Sequence, residues 1–290
     1  LATSTVDFLV PALKVQAFSE GIILDIYLPG FNQIDQELLN KKSNFYRFEP
    51  DLVFLYARAE DIVPDISSDL ESDPIKYSSS LVSEVKNSLD VWSGILSEID
   101  TKTIFFSFAQ PMNLSFGMRD FEDENGYRNT WIKLNNYLRE VKSSNKKFQI
   151  YDLDNLIRRY GLHNWDDKKM WYLAKIAGGS KFQIEFSKDL MPIIREANSS
   201  RKKCIVLDLD NTLWGGVIGE DGLSGVKLGG DYPGNIFKEF QKDILKLWSN
   251  GVILAINSKN NYDDAIEMFD SHPEMILKKK HFSSIQINWI

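Results

Sequence analysis

The sequence has one cysteine, Cys204, so no internal disulfide can form. A chain without disulfides fits a reducing cytosol, and a cytoplasmic location is expected. No apolar run approaches the length of a membrane span, so no membrane partner is expected. Basic residues are outnumbered: 34 Lys and Arg face 41 Asp and Glu, a formal net charge of −7 at pH 7. That balance argues against a general nucleic-acid binder or a ligand of anionic membranes, although a phosphate site can still be locally positive. Internal repeats and low-complexity tracts are absent. An initial methionine is absent too: the chain opens on Leu1, which suggests a missing native start and leaves room for a removed signal peptide.

What is present is enough for two cores. At 290 residues two domains are the natural expectation, and 43% apolar residues with 7 Trp, 11 Tyr and 18 Phe can fill them. Strands are expected over 21–28, 52–57, 104–108 and 148–153. Helical periodicity lies between and after them, at 80–99, 130–141, 166–176 and 184–197. Strands separated by helices imply right-handed βαβ units and a three-layer α/β domain over residues 1–200. The polar run Asn198-Ser199-Ser200-Arg201-Lys202-Lys203 marks the boundary. The second domain, 201–290, should open with a buried strand at Cys204. A β-hairpin flap is expected over 213–228, turning at Glu220-Asp221-Gly222. A helix should follow over 235–248, with an apolar face at Ile236, Phe237, Phe240, Ile244, Leu245 and Trp248. Then come a buried strand at 252–256, a helix at 262–269 and a possible strand at 282–289.

The chemistry concentrates at the end of the first of these strands. Cys204-Ile205-Val206-Leu207 leads into Asp208-Leu209-Asp210-Asn211-Thr212. Ligands of open α/β sheets bind at the carboxyl ends of strands. Two carboxylates one residue apart repel, so the pair calls for a cation or a proton. Mg²⁺ is the economical choice, because it takes one or two carboxylates plus phosphate oxygens. Asp208 is then the nucleophile toward phosphorus, and Asp210 the proton donor and later the base. The bland reading is a strand end with two solvated aspartates. Ser258 also follows a buried strand; it can donate to a phosphoryl oxygen or simply cap the next helix. Lys259 can attract an anion or be an ordinary surface lysine.

The run from Asp208 to Gly222 resembles the first motif and flap of the haloacid dehalogenase (HAD) superfamily. Leu213-Trp214-Gly215-Gly216, Ser258-Lys259-Asn260 and His272-Pro273-Glu274-Met275 resemble its FkbH-like subgroup. The N-terminal part resembles the same subgroup more weakly, through Tyr46-Arg47-Phe48-Glu49-Pro50-Asp51-Leu52-Val53-Phe54-Leu55. The resemblance implies an SGNH-like, or flavodoxin-like, three-layer domain followed by a HAD-like Rossmannoid domain. It implies Mg²⁺ held by Asp208 and the backbone carbonyl of Asp210, and phosphate contacts from Asn211, Thr212, Ser258 and Lys259. It also implies a phosphoryl-aspartate lysine and an acidic pair downstream of Asn288-Trp289. The sequence ends at Ile290, so the second domain is expected to be truncated.

For activity, the subgroup implies transfer of a glyceryl unit from 1,3-bisphosphoglycerate, a small phosphorylated metabolite, to an acyl carrier protein. The unit would pass through a cysteine thioester at a position matching Cys204. A core role for a lone cysteine in an apolar strand is the plainer reading. A plain Mg²⁺-dependent phosphatase and a non-catalytic carrier-protein docking scaffold are the alternatives. The N-terminal domain lacks the equipment of SGNH hydrolases. Ser4 is its candidate nucleophile, and His163 precedes Asp166 and Asp167 instead of following an aspartate. A domain without hydrolase activity is expected, with Asn32, Gln33, Arg58 and Asp61 as residues that could line a ligand cleft.

Overall fold

The computed structural model describes residues 1–62, 74–110, 117–198 and 203–289. The chain divides into two compact units, Leu1–Ser199 and Ser200–Ile290. Of the polar run at 198–203, residues 199–202 lie outside the described residues. No helix among the described residues is long and apolar enough to cross a membrane.

Unit 1 is a three-layer α/β sandwich. Strands β1 (Leu52–Leu55), β2 (Lys102–Phe106) and β3 (Phe148–Tyr151) form a parallel sheet in the order β1-β2-β3. The main helices are α1 (Leu9–Ser19), α2 (Pro74–Ser97), α3 (Tyr127–Ser144), α4 (Lys168–Ala174) and α5 (Ser180–Asn198). β2 is buried on both faces, which is why it reads as a continuous apolar run. Phe105 joins Val53, Leu55 and Phe148 in one core with α2 and α3. Ile104 and Phe106 point the other way, into a second core with Tyr56, Tyr151, α1 and α5. Alternate side chains of one strand thus feed two helical layers.

The expected strand at 21–28 is not formed. Residues 22–29 lack regular structure and join no ladder, although Ile22, Leu24 and Ile26 pack on the second core. The outer edge of β1 is taken instead by the N-terminal residues. Tyr56 N–H donates to Leu1 O at 2.9 Å, and Thr3 N–H donates to Tyr56 O at 3.1 Å. An apolar alternation that matches a strand cannot make one without a free edge to pair with.

Unit 2 also has a parallel sheet, β4 (Cys204–Leu207), β5 (Ile253–Ser258) and β6 (Phe282–Ile287), in the order β4-β5-β6. Its helices are α6 (Ile218–Gly225), α7 (Gly234–Ser249) and α8 (Tyr262–Ser271). Leu207, Leu254, Ile256 and Ile287 bury one face of the sheet in a single core with Trp214, Ile244 and Phe269. The opposite face is open at Val206 and Ile253, so β4 and β5 are half-buried, contrary to the expectation of buried strands. Cys204 is exposed, which removes the core-packing reading.

The flap is not a hairpin. A single antiparallel bridge, Gly215 with Lys227, closes around helix α6, and Gly222 breaks that helix at φ 65°. In α7 the supposed apolar face is turned: Ile236, Phe240 and Trp248 are exposed, while the polar Gln241 is completely buried.

Candidate functional site

β4 and β5 are neighbours in parallel register, Leu207 opposite Ile256, so their carboxyl ends lie side by side. Asp208 follows β4 and Ser258 closes β5. The Ser258 hydroxyl donates to Asp208 Oδ1 at 2.6 Å. Leu209 N–H donates to the same oxygen at 2.8 Å. Behind Ser258, Asn260 Nδ2 donates to Ser258 Oγ at 3.2 Å. Ser258 and Asn260 are buried, while Asp208 is exposed. A file of donors thus runs from the interior to one carboxylate oxygen, and the other Asp208 oxygen has no hydrogen bond to a described residue. A carboxylate held by directed donors at a strand terminus, with one oxygen open, is suited to nucleophilic attack.

Asp210 is held by different partners. Its Oδ1 accepts from the indole N–H of the fully buried Trp214 at 2.9 Å and from Ile218 N–H at 3.1 Å. Three consecutive backbone N–H groups of the flap are each taken by a separate side chain. Gly216 donates to Asn211 Oδ1 at 2.9 Å, Val217 to Asp221 Oδ2 at 2.8 Å, and Ile218 to Asp210 Oδ1. Asn211 sits at φ 54°, a left-handed conformation that asparagine tolerates better than most residues. Gly216 sits at φ 98°, and a Cβ there would collide with Asp221 Oδ2. The glycines after Trp214 therefore allow close approach within the protein: a Cβ at Gly215 would lie 2.7 Å from Phe237.

The remaining sequence candidates are more loosely placed. The Asn211 side-chain oxygen is engaged by the flap. Thr212 turns the chain through its N–H to Leu209 O at 3.1 Å, and Lys259 is exposed beside Ser258. The cap of α8 is Asn261, whose side chain accepts from Asp263 N–H at 3.1 Å, so Ser258 does not serve as that helix cap. The sequence offers Trp214 only as a ligand cover or a packing residue and gives Asn260 no separate role, whereas both hold a site carboxyl or its donor in place. A polar residue two places after a strand-end serine, and an indole four places after an aspartate, are the signals that could have found them.

The donor set suits one kind of metal. Among the described residues no three His, Cys, Asp or Glu side chains gather to hold an ion. The Asp208 carboxylate and the backbone carbonyl of Asp210 supply hard oxygens, which fits a hydrated Mg²⁺ bound through one carboxylate and substrate oxygens.

In unit 1 a cleft of about 320 Å³ opens at the carboxyl ends of β1, β2 and β3. Of the four polar residues suspected of lining a cleft, Arg58 does so; Asn32, Gln33 and Asp61 do not. Ser4 is buried and His163 exposed, and neither lines the cleft, so they form no nucleophile–base pair there.

Residues 1–195 match the model of the FkbH N-terminal domain, most of the chain. The chain belongs to the FkbH family. Among curated proteins none matches it significantly. A solved structure, the N-terminal part of the protein BF1531 from Bacteroides fragilis, superposes with a TM-score of 0.85 and 24% identity. The match covers 100% of the FkbH-family chain and 75% of the other. That protein contains a phosphatase domain and was crystallised with Mg. At this identity the likeness establishes the fold.

Proposed function

We propose that this FkbH-family protein is a HAD-type, Mg²⁺-dependent phosphoryl-transfer enzyme, with Asp208 as nucleophile and Asp210 as proton carrier. The observation that carries the reading is the Ser258–Asp208 hydrogen bond across two parallel strand ends. The open Asp208 oxygen attacks phosphorus, and the bond from phosphorus to the leaving oxygen breaks. Asp210 gives its proton to that leaving oxygen. Asp210 then takes a proton from water, which attacks the phosphoryl-aspartate and frees phosphate. Ser258, Asn211, Thr212 and Lys259 are assigned to orient the phosphoryl oxygens, Ser258 by turning its hydroxyl from Asp208 to the substrate. Asp208 and the backbone carbonyl of Asp210 would hold Mg²⁺, which would supply neutralisation of the phosphoryl charge; the Mg in the BF1531 structure supports this choice.

The substrate reading is 1,3-bisphosphoglycerate, with the glyceryl unit passed to an acyl carrier protein. The exposure of Cys204 supports it, since a thiol in the core could not be acylated. N-terminal unit 1 serves as an SGNH-like binding domain without hydrolase activity. Mass spectrometry of the native protein with 1,3-bisphosphoglycerate and a carrier protein tests both steps. Asp208→Asn should abolish phosphate release, because an amide is a far poorer nucleophile than a carboxylate. Asp210→Asn should lower it roughly 10²–10⁴-fold. Cys204→Ala should keep phosphate release and lose carrier loading. Phosphate release without acylation of either wild-type protein would favour the plain phosphatase. Unchanged turnover in Asp208→Asn would reject the site.

A further inference from the structure

We propose that the cleft of unit 1 is a receptor for a small organic monoanion, whose carboxylate sits on Arg58 and whose apolar body rests against Trp165, Trp171 and Tyr172. The place is a general one for ligands: β1 leads into Tyr56–Glu60, β2 into Ser107–Gln110 and β3 toward Leu153, all of which line the cleft.

Arg58 carries the argument. Its guanidinium lies over the ring of Trp171, 3.6 Å from the centroid, so the side chain is held in a fixed plane. Glu60 at 3.5 Å and Asp61 at 4.0 Å pair with it electrostatically, at distances too long for them to fill its N–H donors. The guanidinium donates no hydrogen bond to any described residue. An immobilised planar fork with open donors matches a carboxylate bidentately. The ordering cost that a flexible arginine would add to binding is already met by the stacking.

Charge decides between anions. Arg58 and Lys168 face Glu60, Asp166 and Asp167 in the lining. Asp167 is partly engaged, accepting Met170 N–H at 3.0 Å as the cap of α4. Both kinds of anion meet this excess of one carboxylate, and a dianion such as inorganic phosphate is repelled about twice as strongly as a monoanion, which the fork can still hold through its open donors. The aromatic wall adds apolar contact area, with Tyr172 at the rim, 77% exposed. The cleft is built to bind and not to hydrolyse: no histidine lines it, and the Ser107 hydroxyl oxygen already accepts Leu153 N–H at 2.9 Å.

Calorimetry and tryptophan fluorescence with sodium benzoate, benzyl alcohol and inorganic phosphate test the proposal. Benzoate should bind at least tenfold more tightly than either of the others. Arg58→Gln should weaken benzoate at least tenfold. If that variant loses its near-ultraviolet circular dichroism, Tyr172→Ala at the exposed rim should still weaken binding severalfold in a folded protein. Asp208→Asn, in the other unit, should leave benzoate binding unchanged. Equal affinity for benzoate and benzyl alcohol, tighter binding of phosphate, or no benzoate binding at millimolar concentration would each overturn the proposal. So would benzoate binding untouched by both cleft variants, or lost in Asp208→Asn.

Discussion

Gln241 is a polar residue in an apolar setting. Its side-chain amide is completely buried in α7 and makes three hydrogen bonds to backbone. Nε2 donates to Leu213 O at 2.7 Å, while Oε1 accepts Ile276 N–H at 2.9 Å and Leu277 N–H at 3.0 Å. One side chain thereby ties the start of the flap to the loop before β6. Replacing it by the similar-sized Leu leaves three backbone groups without partners, and each buried unsatisfied group costs about 1–3 kcal/mol. Part of that cost is recovered as water or the backbone adjusts. Gln241→Leu should therefore lower the stability of the protein by about 3 kcal/mol, read as a lower urea midpoint at constant slope. A loss under about 0.5 kcal/mol would show that these bonds are readily replaced.

At the scale of an element, the short 3₁₀ turn Lys279–His281 is the entrance to β6 and depends on a neutral imidazole. His281 is buried, its ring centroid lies 4.6 Å from that of Trp248, and its Nδ1 accepts Lys278 N–H at 3.0 Å. An acceptor nitrogen cannot carry a proton. Burial holds the imidazole below its ordinary value of 6.5, and the charges of Lys280 and Lys278 push the same way. His272 is also lowered, again first by burial. A depressed folded value means that the unfolded chain binds the proton first. The stabilisation is thus complete above about pH 6.5 and is lost as pH falls below it. The melting temperature should drop between pH 7.5 and 5.5, and His281→Asn should flatten that drop relative to wild type. A melting temperature independent of pH across this window would contradict the assignment.

At the scale of the whole molecule, the two units carry separate sheets and separate cores. Unit 1 has two apolar layers around a central strand buried from Thr103 to Phe106, and the edge of β1 is closed by its own first residues. A fragment of residues 1–199 should accordingly fold, unfold cooperatively in denaturant and retain near-ultraviolet dichroism from its buried Trp92 and Trp131. A fragment with helical far-ultraviolet signal but no tertiary dichroism would show that the unit is not self-sufficient.

The α/β class was legible in the residues because apolar periodicity is local: β1, β2, β3, β5 and helices α2, α3, α5 and α7 sit on the runs that suggested them, whereas α1 has no such signal. The convergence of Asp208 and Ser258 was legible for the same reason, since each follows an apolar run that must end on one side of a parallel sheet. The edge of β1 was not legible, because Leu1–Thr3 and residues 22–29 compete for it and only packing picks the winner. The exposure of Cys204 and Val206 follows from helices covering one face of the second sheet, a choice that four apolar residues in a row cannot express. The stacking of Arg58 on Trp171 joins residues more than a hundred positions apart, and no local pattern encodes such a contact. Local chemistry specified which strands could form and which side chains would end them. Long-range packing assigned their edges, their covered faces and the partners of their polar groups, because those depend on what arrives from elsewhere in the chain.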